Sequence, residues 1–212
     1  MIARLLRALA ARFSGRSCGM SKNDHVQFWI DDSMRNITPH GAERPAGWEE
    51  TAFLRELTGL LDFATVYELG CGYGRLCTAF RPDVYVGLDI NPSAIERARK
   101  DHPEHSFRLI GFDGPYPEKD LCLAYTVLLH IDDRHIREVA DQITRTATRV
   151  LVAEILGRCW RRRGKVPTFN RKREDYERLL SAFRLEMEIR KPYLRYADTD
   201  ISFLYFEKNG VR

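Results

Sequence analysis

From Ala64 to Ile155 the chain alternates short apolar runs with helix-patterned stretches, and this alternation restricts the fold more than any other feature. The runs are "ATVYEL", "VYVGLDI", "HSFRLIGFD", "DLCLAYTVLL" and "RVLVAEI". Between them, "GRLCTAF", "SAIERARKD" and "DRHIREVADQITRTA" space their apolar residues as helices do. Parallel strands need crossovers, so the pattern predicts an α/β fold with a mostly parallel sheet and helices on both faces. A further helix is expected in "WEETAFLRELTGLLDF", ahead of the first run, and another in "REDYERLLSAF". The last two runs, "RLEMEIRKPYLRY" and "DISFLYFEK", are separated only by the turn Tyr196 to Asp200, so they should pair antiparallel. A length of 212 residues suits one such domain with a few decorations.

The segment "VYELGCGYGRL" sets Gly70, Gly72 and Gly74 on alternate positions behind the first apolar run. Glycine permits positive φ and lets ligand atoms approach the backbone. The spacing is G-x-G-x-G; the third glycine of a dinucleotide loop is replaced by Arg75, and no G-x-x-x-x-G-K occurs. Glu68, two residues ahead of the first glycine, sits badly beside a pyrophosphate and suits a ligand carrying positive charge.

Here the sequence resembles the class I S-adenosylmethionine-dependent methyltransferases, whose first motif reads E/D-x-G-x-G-x-G. Glu68, Gly70, Gly72 and Gly74 fit every defined position, and the resemblance runs from about Trp48 to Lys208. It implies a three-layer Rossmann-like fold with seven strands, the last antiparallel, and S-adenosylmethionine as cofactor. It also implies that the loop, Cys71 included, wraps the methionine part of the cofactor. Asp89, fifteen residues past Gly74, would accept from the ribose hydroxyls, with Ile90 packing on adenine. Asp113, read as the end of the third strand, would accept from the adenine amino group. Backbone carbonyls near Tyr125 and Thr126 would meet the cofactor's amino group. Asp89 as a helix cap and Asp113 as a turn former are the blander alternatives.

Methyl transfer from a sulfonium is an in-line displacement, so the protein mainly aligns the acceptor and excludes water. The N/D-P-P-Y motif of adenine and glutamine methylation is absent; "AYTV" stands in its place. His130, just past the fourth strand, is the candidate catalytic base or acceptor-orienting residue, against the alternative that it caps the next helix. Acceptor contacts are expected from two places outside the core. One is an N-terminal segment with Trp29 and Arg44; the other is "GRCWRRRGKVPTFNRKRE", with Trp160, Arg161 and Arg163. From Arg158 to Arg173 that second stretch has eight cations and no acid, which points to a small anionic acceptor. RNA is the second reading, and an NAD(P)-dependent oxidoreductase is the rival from another class.

Three segments are expected: residues 1–19, residues 20–47 on the substrate side, and a methyltransferase domain over 48–212. The first, "MIARLLRALAARFSGRS" onward, is amphipathic, basic and free of acid. The preferred reading is a dispensable extension, with an organellar transit peptide or a membrane-surface helix as alternatives. Five cysteines without a C-x-x-C pair argue against disulfides and zinc, and fit a reducing, cytoplasmic setting. No apolar stretch approaches the roughly 20 residues that span a bilayer. The oligomeric state is left open.

Overall fold

The computed structural model describes residues 24–31, 49–157, 167–193 and 199–210. Arg44, Trp160, Arg161, Arg163 and the 1–19 extension lie outside them. In chain order the elements are α1 (Asp24–Asp31), α2 (Glu50–Gly59), β1 (Val66–Leu69), β2 (Tyr85–Asp89), α3 (Pro92–Asp101), β3 (Ser106–Leu109), β4 (Lys119–Tyr125), α4 (His135–Thr146), β5 (Ala147–Glu154), α5 (Arg173–Leu179), β6 (Phe183–Pro192) and β7 (Asp200–Lys208). The seven strands form one sheet in the order β3-β2-β1-β4-β5-β7-β6. β7 runs antiparallel to both its neighbours, and the other inter-strand pairings are parallel, as expected.

Alternation along the strands builds two cores. In β4, Leu121, Leu123 and Tyr125 face the side covered by α2 and α3, while Cys122 and Ala124 face α4 and α5. α4 lays Ile136, Val139, Ala140 and Ile143 on the second side, the i, i+3, i+4, i+7 stripe of an amphipathic helix. Each large aliphatic side chain so buried contributes about 1.5–3 kcal/mol. α2 is started by the Glu49 side chain, which accepts from the amides of Thr51 and Ala52. α3 is started by Asn91, whose side chain accepts from Ala94, with Pro92 in the first helical turn.

Two sequence expectations are corrected, and one element is added. "GRLCTAF" forms only a three-residue 3₁₀ turn, Cys77–Ala79, because Leu76, Cys77 and Phe80 all turn into the first core. β3 stops at Leu109, so Asp113 is not at a strand end; it lies exposed in a loop between Gly111 and Gly114. Residues 24–31 form a helix that the sequence reading left unassigned.

Candidate active site

Open parallel sheets bind ligands beyond the carboxyl ends of their strands, and the marked residues gather there. The glycine loop leaves β1 with Gly70, Gly72 and Gly74 at φ of 70°, 55° and 82°. It is pinned to β2: the amides of Gly70 and Cys71 both donate to the Leu88 carbonyl, at 2.7 and 3.0 Å. Gly87 of β2 admits this approach, since a Cβ there would stand 2.8 Å from the Cys71 sulfur. Cys71 is itself buried and packs the underside of the loop.

Asp89 is half-buried at the end of β2. Its Oδ2 accepts from the Gly72 amide and its Oδ1 from the Asn91 amide, both at 2.8 Å. The Ile90 amide also acts on this carboxylate, and of its about four lone-pair sites at least one remains for a ligand. Ile90, also half-buried, lies next to it. Glu68 is placed differently: it is 3% exposed, and its Oε2 accepts from the Tyr85 hydroxyl at 2.5 Å beneath the loop. Burial pushes its carboxyl up to about 7. Tyr125 turns its side chain into the first core, where its hydroxyl donates to Glu50 at 2.8 Å and the Arg75 guanidinium covers its ring. Arg75 also pairs with Glu50. Only the Tyr125 backbone is left to serve a ligand at the strand end. Thr126 follows at φ 48°, a left-handed conformation that a β-branched residue rarely adopts and that marks functional loops.

His130 stands beyond β4 in a 3₁₀ turn, Leu128–His130. Its Nδ1 is 2.6 Å from the Pro167 carbonyl oxygen. A carbonyl only accepts, so Nδ1 carries the proton and Nε2 carries the lone pair. Burial holds the imidazole pKa down at about 4, so the ring is neutral at pH 7. It does not cap α4; Asp132 accepts from the amides of Arg134 and His135 instead. The Trp29 ring packs on His130 with centroids 4.6 Å apart, and the indole N–H is buried without a partner. Asn91 ties α1 down by donating to the Trp29 and Ile30 carbonyls, at 2.7 and 3.0 Å.

Two buried residues here were missed by the sequence reading. Glu154, fully buried at the end of β5, accepts from the amides of Leu128 and Leu129. Arg171, counted in the sequence among the cations expected to meet an anionic acceptor, is 5% exposed and donates to the carbonyls of Leu128 and Ile131. The visible signal for Glu154 was a single charge closing an all-apolar run. Lys172 and Arg173 are structural as well, at the start of α5 and against Glu188.

The bare glycine loop and the Asp89 carboxylate at the end of β2 fit a nucleoside-bearing ligand that approaches the backbone closely. Residues 67–152 match the family model described as "Methyltransferase domain". The match marks residues 67–152, from β1 into β5, as a methyltransferase domain. In fold the chain is similar to magnesium protoporphyrin IX methyltransferase from Synechocystis PCC 6803 with bound S-adenosylmethionine, at a TM-score of 0.65, 14% identity, and coverage of 92% of this chain and 100% of that one. It is also similar to the mitomycin 7-O-methyltransferase, at a TM-score of 0.62 and 18% identity, covering 90% of this chain and 61% of that one. In sequence it is 30% identical over 93 residues to a fatty-acid O-methyltransferase of Mycolicibacterium smegmatis, across 41% of this chain. The match spans about a third of that relative's length, 32%. Among the described residues no cluster suited to a metal ion occurs, and no helix is long and apolar enough to cross a membrane.

Proposed function

We propose that the protein transfers the methyl group of S-adenosylmethionine to a hydroxyl oxygen of a small acceptor that carries an anionic group elsewhere. One observation carries the choice of a hydroxyl: the proton on His130 Nδ1 is committed to Pro167, which leaves a lone pair at Nε2. A lone pair attracts an O–H and repels a carboxylate. The acceptor hydroxyl would donate to Nε2 while its oxygen attacks the methyl carbon. As the C–O bond forms and the C–S bond breaks, the hydroxyl becomes strongly acidic. Even a weakly basic imidazole then takes the proton, and S-adenosylhomocysteine leaves neutral at sulfur. The unpartnered Trp29 N–H offers a donor beside the same histidine.

In this reading the cofactor would be held by the glycine loop, by Asp89 at the ribose and by backbone at Tyr125 and Thr126. Glu68 would act from beneath, shaping the loop through Tyr85. Asp113 is exposed in its loop and would reach an adenine amino group only from outside the strand ends. The anionic preference rests on the cations Arg158, Arg161, Arg162, Arg163 and Lys165. The residues that bracket them are tied to the site: the Gly157 amide donates to the Arg171 carbonyl at 2.9 Å, and Pro167 holds His130.

The test is methyl transfer from labelled S-adenosylmethionine to paired panels of anionic alcohols and phenols and of simple carboxylic acids. Label should appear in ethers, and His130→Ala should lower kcat roughly 10²–10⁴-fold while S-adenosylhomocysteine binding is retained. Label confined to carboxyl esters, or undiminished turnover in the alanine variant, would overturn the hydroxyl reading.

A further inference from the structure

We infer that Glu154 and Arg171 are positioning residues for methyl transfer, which together fix the turn Leu128–Ile131 and, through it, the proton and orientation of His130. The inference rests on the role given to His130 above and adds what holds that role in place.

The turn is gripped at nearly every polar backbone atom. Glu154 Oε1 accepts from the Leu128 amide at 2.7 Å and the Leu129 amide at 3.3 Å. Arg171 donates to the Leu128 carbonyl at 2.8 Å and the Ile131 carbonyl at 2.9 Å. The Leu129 carbonyl accepts from the Phe169 amide at 2.7 Å. Arg171 thus joins two segments distant in sequence: the turn that carries His130 and the stretch whose Pro167 carbonyl receives the His130 proton. If that stretch shifts, the Nδ1 proton loses its acceptor and Nε2 is no longer the obligate lone pair.

Energetics argue that this grip is kept for geometry. A buried ion costs several kcal/mol to desolvate, and well-packed apolar residues are commonly as stabilising. Here a guanidinium 5% exposed spends its donors on two carbonyls of one turn; among the described residues its ion pair, at 2.8 Å, is with Asp133, whose side chain is 90% exposed, and its charge also acts on Glu154. Glu154 is likewise buried, pushed up to about 8 by desolvation, and its Oε2 is left without a partner. Both arrangements carry a desolvation cost. Both place a rigid, directional group against the same four residues. The planar fork of arginine can serve two fixed carbonyls at once, which the point charge of lysine cannot.

The experiment compares wild type, Arg171→Met, Arg171→Lys and Glu154→Ala, with nitrogen-15 histidine spectra, amide exchange over residues 128–131 and calorimetry with S-adenosylhomocysteine. Wild type should show His130 protonated at Nδ1. Arg171→Met and Glu154→Ala should keep S-adenosylhomocysteine affinity within about threefold, speed exchange in the turn at least tenfold, and move His130 to mixed tautomers. A folded variant with an unchanged tautomer and unchanged exchange overturns the inference. Should the methionine variant fail to fold, Arg171→Lys decides: faster exchange and mixed tautomers support the grip, and wild-type values overturn it. Failure of the methyl-transfer reading shows separately, as wild-type protein that does not bind S-adenosylhomocysteine.

Discussion

Gly72 donates its amide to the Asp89 carboxylate at 2.8 Å, so the middle glycine of the loop and the acid closing β2 form one unit. Removing the carboxylate therefore loses ligand contacts and also releases the loop. Asp89→Ala should weaken S-adenosylhomocysteine binding by about 1.5–3 kcal/mol, the scale of lost hydrogen bonds to a charged group. Calorimetry reads this directly. A loss well under tenfold would show that the ribose is held elsewhere.

Gly70 carries φ 70°, and a Cβ there would stand 2.3 Å from Val127 Cγ2. The loop and the segment after β4 thus touch through the absence of a side chain. Gly70→Ala combines a left-handed backbone cost of about 1–2 kcal/mol with overpacking of about 1–3 kcal/mol. Urea unfolding should show a loss of about 2–5 kcal/mol. Adding Val127→Ala should recover part of the second term and none of the first. Full recovery would mean that backbone strain is not felt at this position.

Stability should fall as pH rises from about 5 to 8. Burial raises Glu154 from 4.5 to about 8 and Glu68 from 4.5 to about 7, so the folded state holds protons that the unfolded chain has released. The stability they carry is fully present below the unfolded value and is lost as pH rises through the folded one. The slope is about 1.4 kcal/mol per pH unit for each group in that window. His130 opposes this only below pH 6.5, where the unfolded chain binds a proton that the folded ring refuses until about 4. Glu154→Gln should flatten the fall in Tm between pH 6 and 8. An unchanged slope would place the titrating group elsewhere.

Asn91 serves α3 with its oxygen and α1 with its nitrogen. Serine caps helices well but lacks the amide donor. Asn91→Ser should leave α3 protected while amide exchange in residues 24–31 rises at least tenfold. Equal loosening of both helices would show that the cap, rather than the tether, had failed.

The parts legible in sequence are those whose partners are near in the chain or belong to a repeating pattern. Strand–helix alternation foretold the sheet, and Glu68, the three glycines and Asp89 marked one local loop. His130 was visible because it directly follows β4. Arg171 was not, because its carbonyl partners Leu128 and Ile131 lie 43 and 40 positions away and two further cations, Lys172 and Arg173, follow it. In sequence a buried arginine within a basic run looks like any other cation of the run. Asp113 misled for the opposite reason: its place after an apolar run resembled a strand end, while the ladder to β2 ends four residues earlier, at Leu109.

The position of β7 between β5 and β6 has a consequence for synthesis. β6 precedes β7 in the chain yet lies outside it, paired with it alone. As the polypeptide leaves the ribosome, the half carrying the glycine loop can assemble while one flank of β5 still lacks its neighbour. That flank, Arg149 to Glu154, includes the buried Glu154 and presents open hydrogen-bonding groups until residues 200–208 emerge. During that interval the nascent chain is most exposed to adhesion with other chains, and a chaperone would find its target there.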